Sequence, residues 1–212
     1  MFYRIAKIVA QLEGSEQLRA ELQRFAVEFL RKQNGLRWIN LLQDVDLPSK
    51  YFIHSCWDSL EDLQAATKNK AFVEYRESTH ALLQERMSFW DVRVLDRDRR
   101  AIKREVAQPY VRLSRLIVQE AELATKIQSA INVSVPFARG SEGCTMAQLY
   151  QDVNHEPSIF LESWWTSKEK LVAATSSPEM RLRKEAAALY LEQRIDAWTL
   201  KLIDKDPNYP GY

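Results

Sequence analysis

Residues 33–67 read QNGLRWINLLQDVDLPSKYFIHSCWDSLEDLQAAT, and residues 141–175 read SEGCTMAQLYQDVNHEPSIFLESWWTSKEKLVAAT. Laid over each other at an offset of 108, Gly35 meets Gly143, Gln43-Asp44-Val45 meets Gln151-Asp152-Val153, and Ala65-Ala66-Thr67 meets Ala173-Ala174-Thr175. Phe52, Ser55 and Trp57 meet Phe160, Ser163 and Trp165, and further on Arg86, Trp90, Asp96 and Asp98 meet Arg194, Trp198, Asp204 and Asp206. From Gln33–Asp98 against Ser141–Asp206, 20 of 66 positions are identical. Chance at average composition gives about four. The chain therefore reads as a tandem duplication running from about Phe2 to Asp98 and from Tyr110 to Asp206.

Working outward, each copy carries the same succession of periods. Arg4-Ile5-Ala6-Lys7-Ile8-Val9 and Arg112-Leu113-Ser114-Arg115-Leu116-Ile117 alternate polar and apolar residues, as half-buried strands do. Tyr3–Gln11 predicts a strand, and Ser15 is placed to cap a helix bearing Leu18, Leu22, Phe25, Ala26 and Phe29. Asn34-Gly35 is a stop signal for that helix. Leu36–Gln43 and Tyr51–Trp57 predict strands across a turn containing Pro48. Helices follow over Leu60–Thr67, started by Asp58-Ser59, and about Ala71–Arg86, before a last strand at Ser88–Leu95. The order β-α-β-β-α-β is the split βαβ of ferredoxin-like domains. In the second copy Pro136 falls inside the first helix, near Leu123–Arg139, and is expected to kink or end it. Pro178 behind Ser177 suits a first helical position.

The expected architecture is α+β: two tandem ferredoxin-like βαββαβ domains packing sheet to sheet as a pseudo-twofold dimeric α/β barrel, helices outside. The boundaries are 1–98 and 110–206, joined by a linker at 99–109 and followed by a tail at 207–212 that reads as an extended arm. Fusing two copies makes their contact intramolecular, at an effective concentration of order millimolar for a short linker. The chain is thus expected to be a monomer by internal pseudo-dimerisation, or a dimer of that unit.

Composition narrows the function classes. A net charge of +1 with 28% charged residues offers no basic field for nucleic acid, and the densest basic run, Arg97 to Arg104, is broken by Asp98 and followed by Glu105. No apolar stretch approaches the roughly 18 residues of a membrane span. Arg4 and Lys7 interrupt the N-terminal apolar run, against a signal peptide. Cys56 aligns with Trp164 and Cys144 with Leu36, so the two cysteines share no disulfide or metal position. No zinc spacing, phosphate loop or nucleophile elbow is present, and neither a cofactor nor a metal is implied. The cytoplasm is the expected compartment.

The pattern resembles the antibiotic biosynthesis monooxygenase (ABM) family of dimeric α/β barrels. The carrying residues are the Asn34-Gly35 turn, Gln43-Asp44, Phe52 to Trp57 running into Asp58-Ser59, and Ala65-Ala66 with Phe72. Their counterparts are Glu142-Gly143, Gln151-Asp152, Phe160 to Trp165, and Ala173-Ala174 with Met180. The resemblance implies cofactor-independent oxidation of polycyclic aromatic compounds to quinones by Asn, Trp, Tyr and Arg in an apolar pocket; other members degrade haem. Trp57 and Trp165 match the family's tryptophan at the end of the third strand. The Asn four residues earlier falls on Ile53 or Leu161, and the late-helix Arg on Glu77 or Glu185. The haem ligand falls on Arg76 or Lys184, with His80 one helical turn later.

Candidate site residues follow from side-chain chemistry and strand face. Phe52, His54 and Cys56 share one face of the third strand; Tyr51, Ile53, Ser55 and Trp57 share the other. Trp57 and Trp165 could stack on an aromatic substrate or staple strand to helix; their retention in both copies favours the staple. His54, matched by Glu162, is a possible base on a strand face, or simply a hydrogen-bonded histidine. Asn40, flanked on its face by Trp38 and Leu42, could orient a substrate oxygen or satisfy an interior hydrogen bond; Gln148 and Tyr150 stand at matching positions with Met146. Asn40, His54, Trp57 and Trp165 are thus the catalytic candidates. Trp38, Gln148, Tyr150, Glu162, Trp164 and His80 are the substrate-binding ones. His155 reads as an exposed turn residue.

Two functions are consistent with these residues. One is an ABM-like cofactor-independent monooxygenase, or a related small pocket enzyme, acting on an apolar aromatic or polyketide-like compound. The alternative is a non-catalytic ligand-binding or interaction module on the same barrel, with haem binding or degradation behind both. Diverged pairs such as His54/Glu162 and Asn40/Gln148 predict two unequal pockets.

Overall fold

The computed structural model describes residues 1–98, 106, 108–154, 157–188 and 195–209. His155, Arg194 and most of the basic run 97–104 lie outside them. The strands are β1 (Phe2–Val9), β2 (Leu36–Asp44), β3 (Lys50–Trp57), β4 (Ser88–Asp96), β5 (Tyr110–Ile117), β6 (Cys144–Asp152), β7 (Ser158–Trp165) and β8 (Asp196–Asp204). Each of β5 to β8 begins and ends 108 residues after its counterpart among β1 to β4. The hydrogen-bonded order is β1-β3-β2-β8-β5-β7-β6-β4, which closes into an eight-stranded barrel in an α+β fold.

The chain divides into two compact units, Met1–Arg93 with Leu202–Pro210, and Val94–Lys201. Both divisions fall inside a strand. Unit 1 contains β1, β3 and β2 in antiparallel register, with Ile5 opposite His54 and His54 opposite Asn40. Unit 2 repeats this with Leu113 opposite Glu162 and Glu162 opposite Gln148. The register slips between Leu36 and Trp38, and at the equivalent step between Cys144 and Met146.

In unit 1 the helices are α1 (Ser15–Glu28), α2 (Leu60–Lys68) and α3 (Lys70–Thr79). Leu18, Leu22, Phe25 and Ala26 of α1 pack with Ala6, Ile8, Ile39, Leu41, Tyr51 and Ile53. Burying a leucine such as Leu18 or Leu22, both 0% exposed, contributes about 1.5–3 kcal/mol. Ser59 caps α2, its Oγ accepting from the Asp62 N–H at 3.0 Å. Ser15 does not cap α1; it is the first helical residue, and its hydroxyl lies 2.9 Å from that of Tyr51. The first helix also ends earlier than its stop signal, at Glu28, and tightens into a 3-10 turn at Leu30–Lys32. Gly35, at φ +74°, then turns the chain into β2. The α3 helix stops at Thr79 rather than near Arg86: the Thr79 hydroxyl bonds the carbonyls of Tyr75 and Arg76, and a 3-10 turn over His80–Leu82 follows.

Unit 2 has α4 (Leu123–Ser129), α5 (Val135–Gly140), α6 (Lys168–Thr175) and α7 (Pro178–Ala188). Pro136 neither ends the helix early nor leaves it regular. A π-helical stretch, Ala130–Ser134, precedes it, and Pro136 sits in the first turn of α5. Proline donates no N–H to the preceding turn, and the wider turn accommodates that gap. Ser177 caps α7 ahead of Pro178, accepting from Met180 N at 3.2 Å. The tail is not an extended arm over its described part: Pro207 and Asn208 form a turn, and Tyr209 is buried in unit 1. No helix among the described residues is long and apolar enough to cross a membrane.

Candidate functional site

Antiparallel pairing sorts every strand residue of unit 1 onto one of two faces, because directly opposed residues point the same way. Tyr3, Ile5, Trp38, Asn40, His54 and Cys56 share the face away from α1. Arg4, Ala6, Ile53, Ser55 and Trp57 share the face that α1 to α3 cover. Trp57 therefore stands on the opposite side of the sheet from Asn40 and His54. Its indole N–H donates to Ser55 Oγ at 3.0 Å, and its ring packs on Leu63 and Ala66. Trp165 repeats this, donating to Ser163 Oγ at 2.9 Å and packing with Ala138, Ala147 and Leu171.

Under those helices unit 1 holds a partly open cavity of about 40 Å³. Its floor is Ala6, Ile8, Ile53, Ser55 and Trp57; α1 gives Leu22 and Phe25, and α3 gives Phe72, Tyr75 and Arg76. Phe25 stacks on Tyr75 with centroids 3.7 Å apart. Burial raises the Tyr75 pKa, the Glu21 charge adding to it, and the hydroxyl has no hydrogen-bond partner among the described residues. That hydroxyl is a neutral donor at physiological pH. Arg4, also on the wall, is held by Asp91 through two hydrogen bonds of 2.6 and 2.8 Å and lies 5.6 Å over the Phe89 ring.

Arg76, Met87 and Phe89 also line an adjoining groove of about 570 Å³, completed by Glu77, His80, Leu83 and Arg86. His80 is exposed there. The site so formed has apolar walls, a few polar groups and an open vestibule, the usual composition of a small-molecule site.

The other sequence candidates lie elsewhere. Trp38 meets His54 at 5.1 Å and Tyr209 at 4.6 Å, both edge-on, and Tyr3 lies 5.7 Å from Trp38. Asn40, fully buried, accepts from Asp206 N at 3.0 Å, and its Nδ2 has no hydrogen-bond partner among the described residues. In unit 2, Gln148 donates to the Tyr150 hydroxyl at 3.0 Å, which donates to Glu162 Oε2 at 2.5 Å, all three buried. Trp164 is fully buried on the same face as Glu162. The structure thus gathers Trp38, Asn40 and His54 in unit 1 and Gln148, Tyr150 and Glu162 in unit 2, and brings only Trp57 and His80 to the cavity and groove. Sequence reasoning missed Tyr75 and Arg86 as lining residues. The spacing of Phe72, Tyr75, Arg76 and Thr79 along one helical face was the signal for Tyr75. Among the described residues no group of His, Cys, Asp and Glu is placed to hold a metal ion, and both cysteines are buried.

Residues 1–78, which supply most of the cavity wall, match the family model for antibiotic biosynthesis monooxygenase. This stretch is similar to the ABM domain over that length. Solved structures extend the likeness in fold to the whole chain. An anthrone oxidase-like protein superposes with a TM-score of 0.81 at 12% identity, covering 96% of this chain and 92% of that one. A protein from Fusobacterium nucleatum subsp. nucleatum bearing the name monooxygenase gives 0.75 at 10% identity, over 100% of this chain and 95% of that one. A third, from Lactobacillus acidophilus and bearing the same name, gives 0.65 at 9% identity over 96% and 99%. No curated protein matches the chain. At these identities the superpositions speak for the ABM-type fold alone.

Proposed function

We propose that the chain is a cofactor-independent oxygenase acting on an electron-rich aromatic compound, and that its working site is the cavity and groove of unit 1. The observation that carries this reading is the cavity itself: it opens against Trp57, the residue the ABM resemblance carries over, under apolar walls with a buried tyrosine hydroxyl and Arg76. In such a reaction the substrate supplies the electrons. A hydroxyarene loses its phenolic proton, the ring carbon adds dioxygen to form a C–O bond, and the resulting hydroperoxide loses water to leave a carbonyl. One ring CH2 and one O2 become one C=O and one H2O. The apolar walls would exclude bulk water from the peroxide, and the Tyr75 hydroxyl is a donor available to an oxygen anion.

The decisive measurement is oxygen uptake with a panel of hydroxylated anthrones and naphthols, with product mass. Stoichiometric uptake and a quinone product support the assignment; no turnover with any of them sinks it. A second reading, a ligand-binding module without chemistry, is favoured by one observation: the cavity of about 40 Å³ is far below the roughly 300–1,000 Å³ of small-molecule sites. Binding of the same compounds without turnover would support that reading. A tandem-duplicated origin, a cytoplasmic location and a monomer, or a dimer of it, belong to the same proposal.

A further inference from the structure

The groove differs from the cavity in one respect that bears on its ligand: it carries uncompensated positive charge. Arg4, on the cavity wall, is neutralised by Asp91, and nearby Lys7 is neutralised by Glu85 at 2.9 Å. Arg76 and Arg86 both line the groove, and neither makes an ion pair among the described residues. Glu77 is the one acidic residue in that lining, and Leu83, Met87 and Phe89 are its apolar part. A groove of about 570 Å³ falls in the range of roughly 300–1,000 Å³ for sites that take a whole small molecule. An apolar lining beside two guanidinium groups suits a ligand that is aromatic at one end and anionic at the other. Guanidinium pairs planar carboxylates through two parallel hydrogen bonds, a geometry that an amide of the same shape cannot reproduce.

We propose that this groove binds an aromatic acid, its ring on Leu83, Met87 and Phe89 and its carboxylate taken by Arg76 and Arg86. If unit 1 is an oxygenase, the substrate class narrows to aromatic compounds bearing an acidic group. That narrowing rests on the oxygenase reading; the binding does not.

The test uses the full chain and two non-oxidised probes of equal size, 2-naphthoate and the neutral 2-naphthamide, titrated by calorimetry at low and moderate salt. The expected result is that naphthoate binds at least tenfold more tightly than naphthamide and weakens as salt rises. Arg76→Gln and Arg86→Gln should each lower naphthoate affinity several-fold and leave naphthamide affinity unchanged; both side chains are exposed, so the fold should survive, as circular dichroism will report. Equal affinity for the two probes, no binding of naphthoate, or indifference to both substitutions overturns the proposal. Naphthoate selectivity without oxygen uptake would refute the oxygenase and keep the groove. Turnover of neutral naphthols without naphthoate binding would do the reverse.

Discussion

Arg31 donates through Nε to the Asp206 carboxylate at 3.0 Å, across 175 residues of chain. The same Oδ2 accepts from the backbone N–H of Ile39 at 3.1 Å, and Arg31 also reaches Asp204 at 3.2 Å. Every partner recurs 108 residues away in the numbering: Arg139 pairs with Asp98 at 3.5 Å and Asp96 at 3.2 Å, and Ala147 N donates to Asp98 at 3.0 Å. In unit 1 this clamp ties the stretch after Leu202 to β2; in unit 2 it ties the end of β4 to β6. It gives physical content to the aspartates shared by the two copies.

The clamp should be costly to break, because Asp206 is 1% exposed and its removal leaves the Ile39 N–H without its acceptor and Arg31 with Asp204 alone. Asp206→Ala is expected to destabilise the chain by about 3 kcal/mol, read from urea unfolding, and Asp98→Ala by a similar amount. Arg31→Gln, whose side chain is 22% exposed, should cost less. Wild-type stability in both aspartate variants would show that the clamp contributes nothing.

Gly35 and Gly143 sit at φ +74° and +84°, and each is held from both sides. Asp58 N donates to Gly35 O at 2.8 Å and Thr166 N to Gly143 O at 2.9 Å. A Cβ at Gly35 would collide with the Asp62 side chain, and one at Gly143 would come within 2.7 Å of Lys170 Cβ. Gly35→Ala and Gly143→Ala are each expected to cost about 1–3 kcal/mol, seen as a lowered Tm.

Trp57 and Trp165 are equivalent as staples and unequal as site residues. Replacing either with phenylalanine removes the bond to serine, and about 1 kcal/mol of stability should go in both cases. Only Trp57 lines the unit 1 cavity. Trp57→Phe should therefore lower kcat/KM for a turned-over naphthol tenfold or more while Trp165→Phe leaves it unchanged. An equal loss in both variants would place the working site elsewhere.

Tyr75 gives the chain an alkaline limit. Its pKa is raised in the folded state, so its neutral form is favoured by folding. That contribution is whole below the unfolded value of about 10 and is lost as pH rises through the higher folded value. Tyr75→Phe should flatten the fall in stability between pH 9 and 11. Absorbance at 295 nm should show the two proteins titrating alike below about pH 11 with one fewer late-ionising group in the variant.

Much of the fold was legible because strand signals are local. The alternation at Arg4 to Val9 and the run Tyr51 to Trp57 placed β1 and β3 to within two residues at either end, and their faces as observed. Helix ends were read less well. At Ser15 the outcome turns on a hydroxyl that another element supplies, that of Tyr51, and at Thr79 on a side chain that bonds the carbonyls of its own last turn. Of the candidate site, Trp57 was legible from its matched position, whereas the spacing of Phe72 and Tyr75 gave a helical face and the packing of α3 on α1 gave it a cavity to line.

The amino-acid sequence by itself determined the repeat, the strands and the side of the sheet on which each strand residue stands, since an offset of 108 and a period of two need no knowledge of distant contacts. Only the tertiary structure decided which side carries the cavity, that Arg76 and Arg86 share one groove, and that Arg31 and Arg139 hold the matched aspartates. Those facts depend on how helices seat on a sheet and on contacts up to 175 residues apart. They follow from packing and charge pairing in three dimensions, which local periodicity does not encode.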